Sequence, residues 1–377
     1  MKNLLPCAGI LLGLLLTTLS CAPVTTPILA PTPNLALPSQ SLPVAAKEPA
    51  LTTEEVAWQK IVDAAKKEGR ITDYSNKFVG DVGIAVSRAF KQRYGIEVEL
   101  ITGRGAEFME RVKNEKRIGQ LVGDMHDGSS LNTMLMKQAG LTVGFADELP
   151  ALRDKDVWVA DILAVDPKDK HIITFNFTSQ NTWVNNNLVK PGQEPKTWKD
   201  LLDPKWKGKM LWDDDMIAST PYQVVVTLMR EKVIDEEFLK ALYSQDLRLY
   251  SGSYDGAAVL SRGDRSIVLT GSSLIFPRYI AEGSPIRATT LEDGTVLTPG
   301  TMVAYKGGPH PNATKVFINW LISKEGQEVH GRAASFNSIR KDVPDFLPEG
   351  ARVTPKRPLV HTVEDLDQAT NLFQVRY

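Results

Sequence analysis

The chain has 377 residues, 42% hydrophobic and 24% charged, enough for one large domain or two ordinary ones around real cores. Lys and Arg number 44 against 45 Asp and Glu, a formal net charge of −1, so the basic excess that marks nucleic-acid-binding proteins is missing.

At the amino terminus Lys2 precedes an apolar run from Leu4 to Leu16, followed by "TTLSCAP". A short cationic start, an apolar stretch and small residues at a cleavage point describe a secretory signal peptide over residues 1–21. The run is too short and too soon interrupted to span a bilayer comfortably. Of the two cysteines, Cys7 lies inside the run, and Cys21 sits where bacterial lipoproteins carry the cysteine that is lipidated after cleavage. Leu19 and Ser20 fit that pattern; Thr18 departs from it, since leucine is usual there. Cleavage leaves no cysteine pair for a disulfide or a thiolate metal site. Residues 22–50 hold seven prolines and almost no charge, the composition of an extended tether. The expected location is extracytoplasmic, in the periplasm or at the cell surface, with a membrane anchor through lipid on Cys21.

A helix is expected from Thr52, where Thr52 and Glu55 form a capping-box pair, Trp58, Ile61, Val62 and Ala65 recur at helical spacing, and Gly69 closes it. "RITDYS" reads as a strand, "DVGIAVSRAFKQRYG" as a helix with Phe90 and Tyr94 on one face, and "IEVELIT" as a strand. "GAEFMERVKNEKRIG", "LVGDMHDG" and "SLNTMLMKQAG" continue as helix, strand and helix. Such alternation implies a parallel sheet covered on both faces. "IITFNFTSQNTWVNN" (172–186) is a long β-rich stretch. "TWKDLLDPKWKGKM" (197–210) mixes four lysines with two tryptophans, a composition also found in single-strand nucleic-acid grooves. Asp200 and Asp203 cut its local charge to +2, and Trp198, Leu201 and Leu202 read as a turn anchored in a core before a strand at "KMLW". Helices are expected near 219–231 and 235–244, a strand and loop over 266–273, a second β-rich stretch over 295–307, and one amphipathic helix over 312–331. Two β-rich crossings around α/β blocks predict two lobes joined by two strands.

Catalytic and nucleotide signatures are missing: no GxxxxGK[ST], HExxH or GxSxG, and Gly103–Gly105 lacks the rest of a dinucleotide fingerprint. The five histidines are scattered. The expectation is a protein that is not an enzyme and carries no cofactor or metal. "WDDDM" (212–216) offers carboxylates to a hard cation, but a charged loop or helix entry is the favoured reading. More informative are strand ends followed by polar residues and a helix start, where open α/β sheets bind ligands and backbone N–H groups favour anions. They supply the candidate binding residues Ser75, Asn76, Arg104, Gly105, Asp127, Ser129, Asp213, Thr220, Tyr222, Ser272, Ser273 and Arg278. Arg104, in a glycine-flanked loop, suits a bidentate contact to carboxylate or phosphate; arginines in general are more often plain surface residues.

"AWQKIVDAAKKEGRITDYS", "AFKQRYGIEVELITGRGAEFMERVKNEKRIG", "TWVNNNLV", "TWKDLLDPKWKGKM" and "GGPHPNATKVFINWLISKEGQEV" resemble, in order, segments of extracellular solute-binding proteins, the ligand-capturing components of bacterial ABC importers. The nearest branch includes the ferric-ion-binding proteins. The resemblance runs from about residue 53 to 345. It implies an α/β, two-lobed periplasmic-binding-protein type II fold with two crossover strands and hinge closure on a small-molecule solute. On that pattern residues 51–176 and 292–340 form lobe 1, and 177–291 and 341–377 form lobe 2. It implies an importer permease as partner, a monomer, and no nucleic acid. Iron-binding members chelate the metal with consecutive tyrosines in the second lobe. Here Ser273 and Leu274 stand at that place, and Tyr279 is alone, which removes the expected phenolates. The serines, Arg104 and helix-end amides suit an oxyanion such as a phosphate ester, phosphonate or organic carboxylate. Asp127 and the aspartates at 213–215 favour the alternative, a ferric-ion or polyamine ligand. A ligand-sensing receptor subunit is the other reading.

Overall fold

The computed structural model describes residues 52–213, 220–250, 253–362 and 365; the signal peptide, Cys21, the tether and the aspartates at 214 and 215 lie outside them. α1 (Thr53–Glu68) opens as its capping box requires: Thr52 Oγ1 accepts from the Glu55 N–H at 3.2 Å, and Glu55 Oε2 accepts from the Thr52 N–H at 2.8 Å. Gly69, at φ +71°, ends it in the left-handed region where a side chain is strained. β1 (Arg70–Ser75), α2 (Gly80–Tyr94), β2 (Glu97–Thr102), α3 (Gly105–Arg117), β3 (Met125–Ser129), α4 (Ser130–Gln138) and the short β4 (Thr142–Val143) follow.

The long β5 (Ile173–Asn185) leads into β6 (Met210–Asp213), α5 (Thr220–Arg230), α6 (Glu236–Tyr243), β7 (Arg248–Tyr250), α7 (Ser253–Arg262), β8 (Ile267–Ser272), α8 (Phe276–Ala281) and β9 (Ile286–Thr289). β10 (Thr295–Tyr305) returns to α9 (Pro311–Leu321) and α10 (Lys324–Ala334), and β11 (Pro358–Val360) comes last. The single helix expected over 312–331 is two, because Ser323 acts as a second N-cap, its Oγ accepting from the Gly326 N–H at 3.3 Å.

The strands form one path, β2-β1-β3-β10-β5-β8-β6-β7, with β4 and β11 added to β10 and β9 to β5. β1 is parallel to β2 and β3, and β6 is parallel to β7 and β8; β10 and β5 run antiparallel to each other and to the strands that flank them on this path. Two α/β lobes result, joined through β5 and β10. Alternation along the strands sends side chains to both faces. In the first lobe Ile71, Phe90, Phe175, Phe317 and Trp320 fill one face, and Tyr74, Phe108, Met134 and Val303 the other. In the second, Trp198, Trp206, Trp212 and Leu228 oppose Trp183, Leu211, Phe276 and Leu347. Trp183 stacks on Phe276 at 4.8 Å, and each such buried large apolar side chain contributes about 1.5–3 kcal/mol.

Both tryptophans of "TWKDLLDPKWKGKM" are core residues. Trp198 Nε1 donates to the Gly294 carbonyl at 3.0 Å, and Trp206 is buried in the same cluster. Their rings are unavailable for stacking on bases. Among the described residues no helix is long and apolar enough to cross a membrane.

Candidate functional site

Strand register defines a gap between the lobes. Ser129, the last residue of β3, lies opposite Gly300 of β10, and Gly300 lies opposite Asn176 of β5. Ser272, the last residue of β8, lies opposite Gln180 of β5. Because β3 and β5 are both antiparallel to β10, β3 and β8 point their carboxyl ends at one another across four residues of β5, about 13 Å. The two crossing strands floor the gap with polar side chains: Gln180 Nε2 donates to Thr298 Oγ1 at 3.3 Å, and Thr298 Oγ1 donates to the Thr178 carbonyl at 3.1 Å.

The first lobe brings six candidates together. Ser75 pairs in register with Thr102 on one side and Asp127 on the other. The Asn76 N–H donates to the Asp127 carbonyl at 3.2 Å, and Asn76 Nδ2 donates to the Gly103 carbonyl at 3.1 Å. Asn76 therefore ties three strand ends into one surface. Ser75 Oγ faces inward and accepts from the Phe78 N–H at 2.9 Å. Ser129 caps α4, accepting from the Asn132 N–H at 3.4 Å. Gly105 begins α3 against α4, and a Cβ there would fall inside the Asn132 carboxamide. Arg104 holds the N-cap position of α3 without capping it; its side chain is exposed and makes no hydrogen bond or ion pair with a described residue. Asp127 is buried, and its Oδ1 accepts from the Lys77 N–H at 2.6 Å, so this carboxylate pins a loop.

The second lobe treats its candidates differently. Ser272 Oγ accepts from the Leu274 N–H at 3.2 Å. Ser273 is buried and stitched to β5: its N–H donates to the Ser179 carbonyl at 2.9 Å, and its Oγ accepts from the Ser179 N–H at 3.0 Å. With Phe177, Ser179 and Leu297 it lines a cavity of about 400 Å³ bounded by Ser338 and Arg340, so it serves the crossing more directly than the gap. Arg278, exposed on α8, donates from Nη1 to Tyr254 Oη at 3.2 Å. Tyr279 is also engaged, donating to the Tyr254 carbonyl at 3.1 Å. Asp213 ends β6 in register with Tyr250 and is buried. Thr220 opens α5 and Tyr222 follows; their side chains lie outside what is described. No group of three or more His, Cys, Asp or Glu side chains among the described residues is placed to hold a metal ion.

Sequence reasoning missed Lys77. It immediately follows the "YSN" strand end, and that adjacency to a strand-end loop was the available signal. The ammonium is half-buried and makes no hydrogen bond or ion pair with a described residue; burial lowers its pKa from the usual lysine value, and the Asp127 charge opposes that shift. Gln180 and Thr298 were missed as well, because polar residues inside a β-rich run carry no sign of which lie over a gap.

Residues 85–357 match a family model described as bacterial extracellular solute-binding protein. An uncharacterized protein of Haemophilus influenzae is 30% identical over 146 residues, which are 38% of this chain and 42% of that protein; the chain thus spans less than half of that relative's length. The fold is similar to that of the periplasmic binding protein AfuA of Actinobacillus pleuropneumoniae with exogenous fructose-6-phosphate bound (TM-score 0.59, 18% identity, 81% of this chain and 97% of that one). It is also similar to that of Trichodesmium IdiA (FutA) in complex with iron and citrate (TM-score 0.67, 19% identity, 82% and 100%). At these identities the likeness is one of fold, and the two structures hold different ligands.

Proposed function

The chain belongs to the bacterial extracellular solute-binding protein family, and on that premise we propose that it captures a small oxyanion between its lobes and delivers it to an ABC importer. The oxyanion is a phosphate ester, phosphonate or organic carboxylate. The observation that carries the ligand class is the pair of cations on the first-lobe wall, Lys77 and Arg104, neither of whose side chains makes a hydrogen bond or ion pair with a described residue, although the Lys77 ammonium feels the Asp127 charge. Burial disfavours the Lys77 ammonium more than the Asp127 charge offsets, and an anionic ligand supplies further compensation. The ferric reading lacks a matching donor set: Ser273 and Leu274 occupy the expected phenolate positions, and the Tyr279 hydroxyl is bonded to Tyr254. The polyamine reading needs carboxylates open to the gap, and Asp127 is buried with Oδ1 accepting from the Lys77 N–H.

The lobes divide at 51–176 with 292–340 and 177–291 with 341–377, which puts one boundary within β5 and the other just before β10. Asn76, Ser129, Ser272, Arg278 and the start of α5 at Thr220 and Tyr222 line the two walls in this reading. Ser75, Gly105, Asp127 and Ser273 shape them from behind. The protein acts as a monomer, anchored outside the cytoplasm by lipid on Cys21.

A thermal-shift screen of ligand-free protein against inorganic phosphate, glucose 6-phosphate, 2-aminoethylphosphonate, citrate, spermidine and ferric citrate tests the ligand class. Stabilisation by an anion is expected. Lys77→Ala and Arg104→Ala should each weaken that anion about tenfold or more, since a charge-assisted hydrogen bond is worth roughly 1.5–3 kcal/mol. A response confined to ferric citrate or spermidine would overturn the oxyanion reading.

A further inference from the structure

Behind the first-lobe wall lie three carboxylate oxygens that no donor reaches. Asp73 is fully buried in β1, and neither of its oxygens has a hydrogen-bond partner; Asp127, equally buried in β3, has the same deficit at Oδ2. The register sets Ser75 opposite Asp127 and Asp73 opposite Met125. With side chains alternating along each strand, the two carboxylates share a face as diagonal neighbours. That face is the apolar one carrying Ile71, Met125, Met302 and Phe175. Two carboxylates in such a place do not both ionise, and one shared proton turns an orphaned acceptor into a donor.

We propose that Asp73 carries a proton and donates it to Asp127 Oδ2, and that this acid–carboxylate pair holds the loop of Asn76, Lys77 and Phe78 in its ligand-receiving position. Asp73 is then a positioning residue acting through Asp127, whose other oxygen accepts from the Lys77 N–H at 2.6 Å. The neighbouring charges explain which partner keeps the proton. Lys77, whose ammonium feels the Asp127 charge, puts the positive charge on the Asp127 side of the pair. Asp124, from the start of β3, adds negative charge toward Asp73; it is itself held by the Thr72 N–H and by the N–H and Nδ1 of His310 beside α9. His126 of β3 is buried and bonded to the Tyr74 carbonyl, and Tyr305 of β10 faces both aspartates from the far side. From α10, His330 packs on Phe78 and Phe175 and carries no neutralising charge. Burial first, then Asp127, raises the Asp73 carboxyl well above its ordinary value. Only the use made of Lys77 rests on the oxyanion reading; the shared proton does not.

The test uses ligand-free full-length protein, so failure of the anion screen leaves it untouched. Infrared spectroscopy with isotope-labelled aspartate should show a neutral carboxyl band at neutral pH that Asp73→Asn abolishes. Asp73→Asn keeps a donor toward Asp127, so exchange of the Lys77 amide should stay near the wild-type rate. Asp73→Leu removes the donor and should accelerate that exchange about tenfold, the scale of one charge-assisted hydrogen bond. Unfolded aspartate releases its proton near 3.8, so the stability this group supplies is fully present below that pH and declines as pH rises through the higher native value. Asp73→Asn should flatten the decline. No neutral carboxyl band, or Asn and Leu variants exchanging equally fast, would overturn the proposal.

Discussion

His330 shows what single residues store in this fold. Its ring packs among Phe78, Phe175 and Phe336 at centroid distances of 5.7, 5.6 and 5.4 Å, and Nδ1 has no partner. Burial lowers its pKa from 6.5 to about 4. The unfolded chain therefore takes up a proton that the native state refuses. Stability from this residue is fully present above 6.5 and lost as pH falls toward about 4, a span worth roughly 3 kcal/mol. His330→Phe should flatten the acid side of the profile when unfolding by urea is compared at neutral and mildly acidic pH. An acid slope as steep as that of the wild type would mean that other groups set it. Lys77 is the functional counterpart: both are desolvated, but Lys77 borders the gap and His330 has only rings around it.

At the scale of elements, helix starts are where local sequence and packing meet. The Ser323 cap splits α9 from α10, and Ser323→Ala should cost about 1 kcal/mol in chemical denaturation. Gly105 poses a different constraint, since α3 begins in contact with Asn132 of α4. Gly105→Ala must displace the Asn132 side chain at the start of α4 and should cost about 1–3 kcal/mol. It should also weaken anion binding, because Arg104 is the preceding residue. A variant losing stability with unchanged affinity would separate Gly105 from the site. The capping box of α1 was readable as a short-range pattern, four residues holding both halves of the motif. The Ser323 cap was overlooked because apolar spacing runs on across it from Val316 to Val329, and only the backbone reveals the break.

For the whole molecule, β5 and β10 link two lobes whose strand ends face one another over a polar floor. Ligand that contacts both walls favours the closed state by its differential affinity for the two states. Small-angle X-ray scattering should therefore show contraction when the anion identified by thermal shift is added, and Lys77→Ala should need more ligand for the same change. Scattering curves that superimpose with and without saturating anion would sink capture by lobe closure.

The sequence by itself determined the α/β alternation, the two β-rich crossings, the buried role of Trp198 and Trp206, and the family, because these follow from short-range periodicity, turn chemistry and ordered motifs. It also marked the strand ends at Ser75, Arg104, Asp127 and Ser272 as a set. Only the tertiary structure decided what each does. Asp127 proved to be a scaffold carboxylate and Ser273 a stitch to β5, while Lys77 emerged as a desolvated cation whose pKa burial lowers against the Asp127 charge. Those roles depend on partners such as Ser179, 94 positions from Ser273, and Asp127, 50 from Lys77. Hydrogen bonding and desolvation are set by distance in space, and one-dimensional spacing carries no record of it.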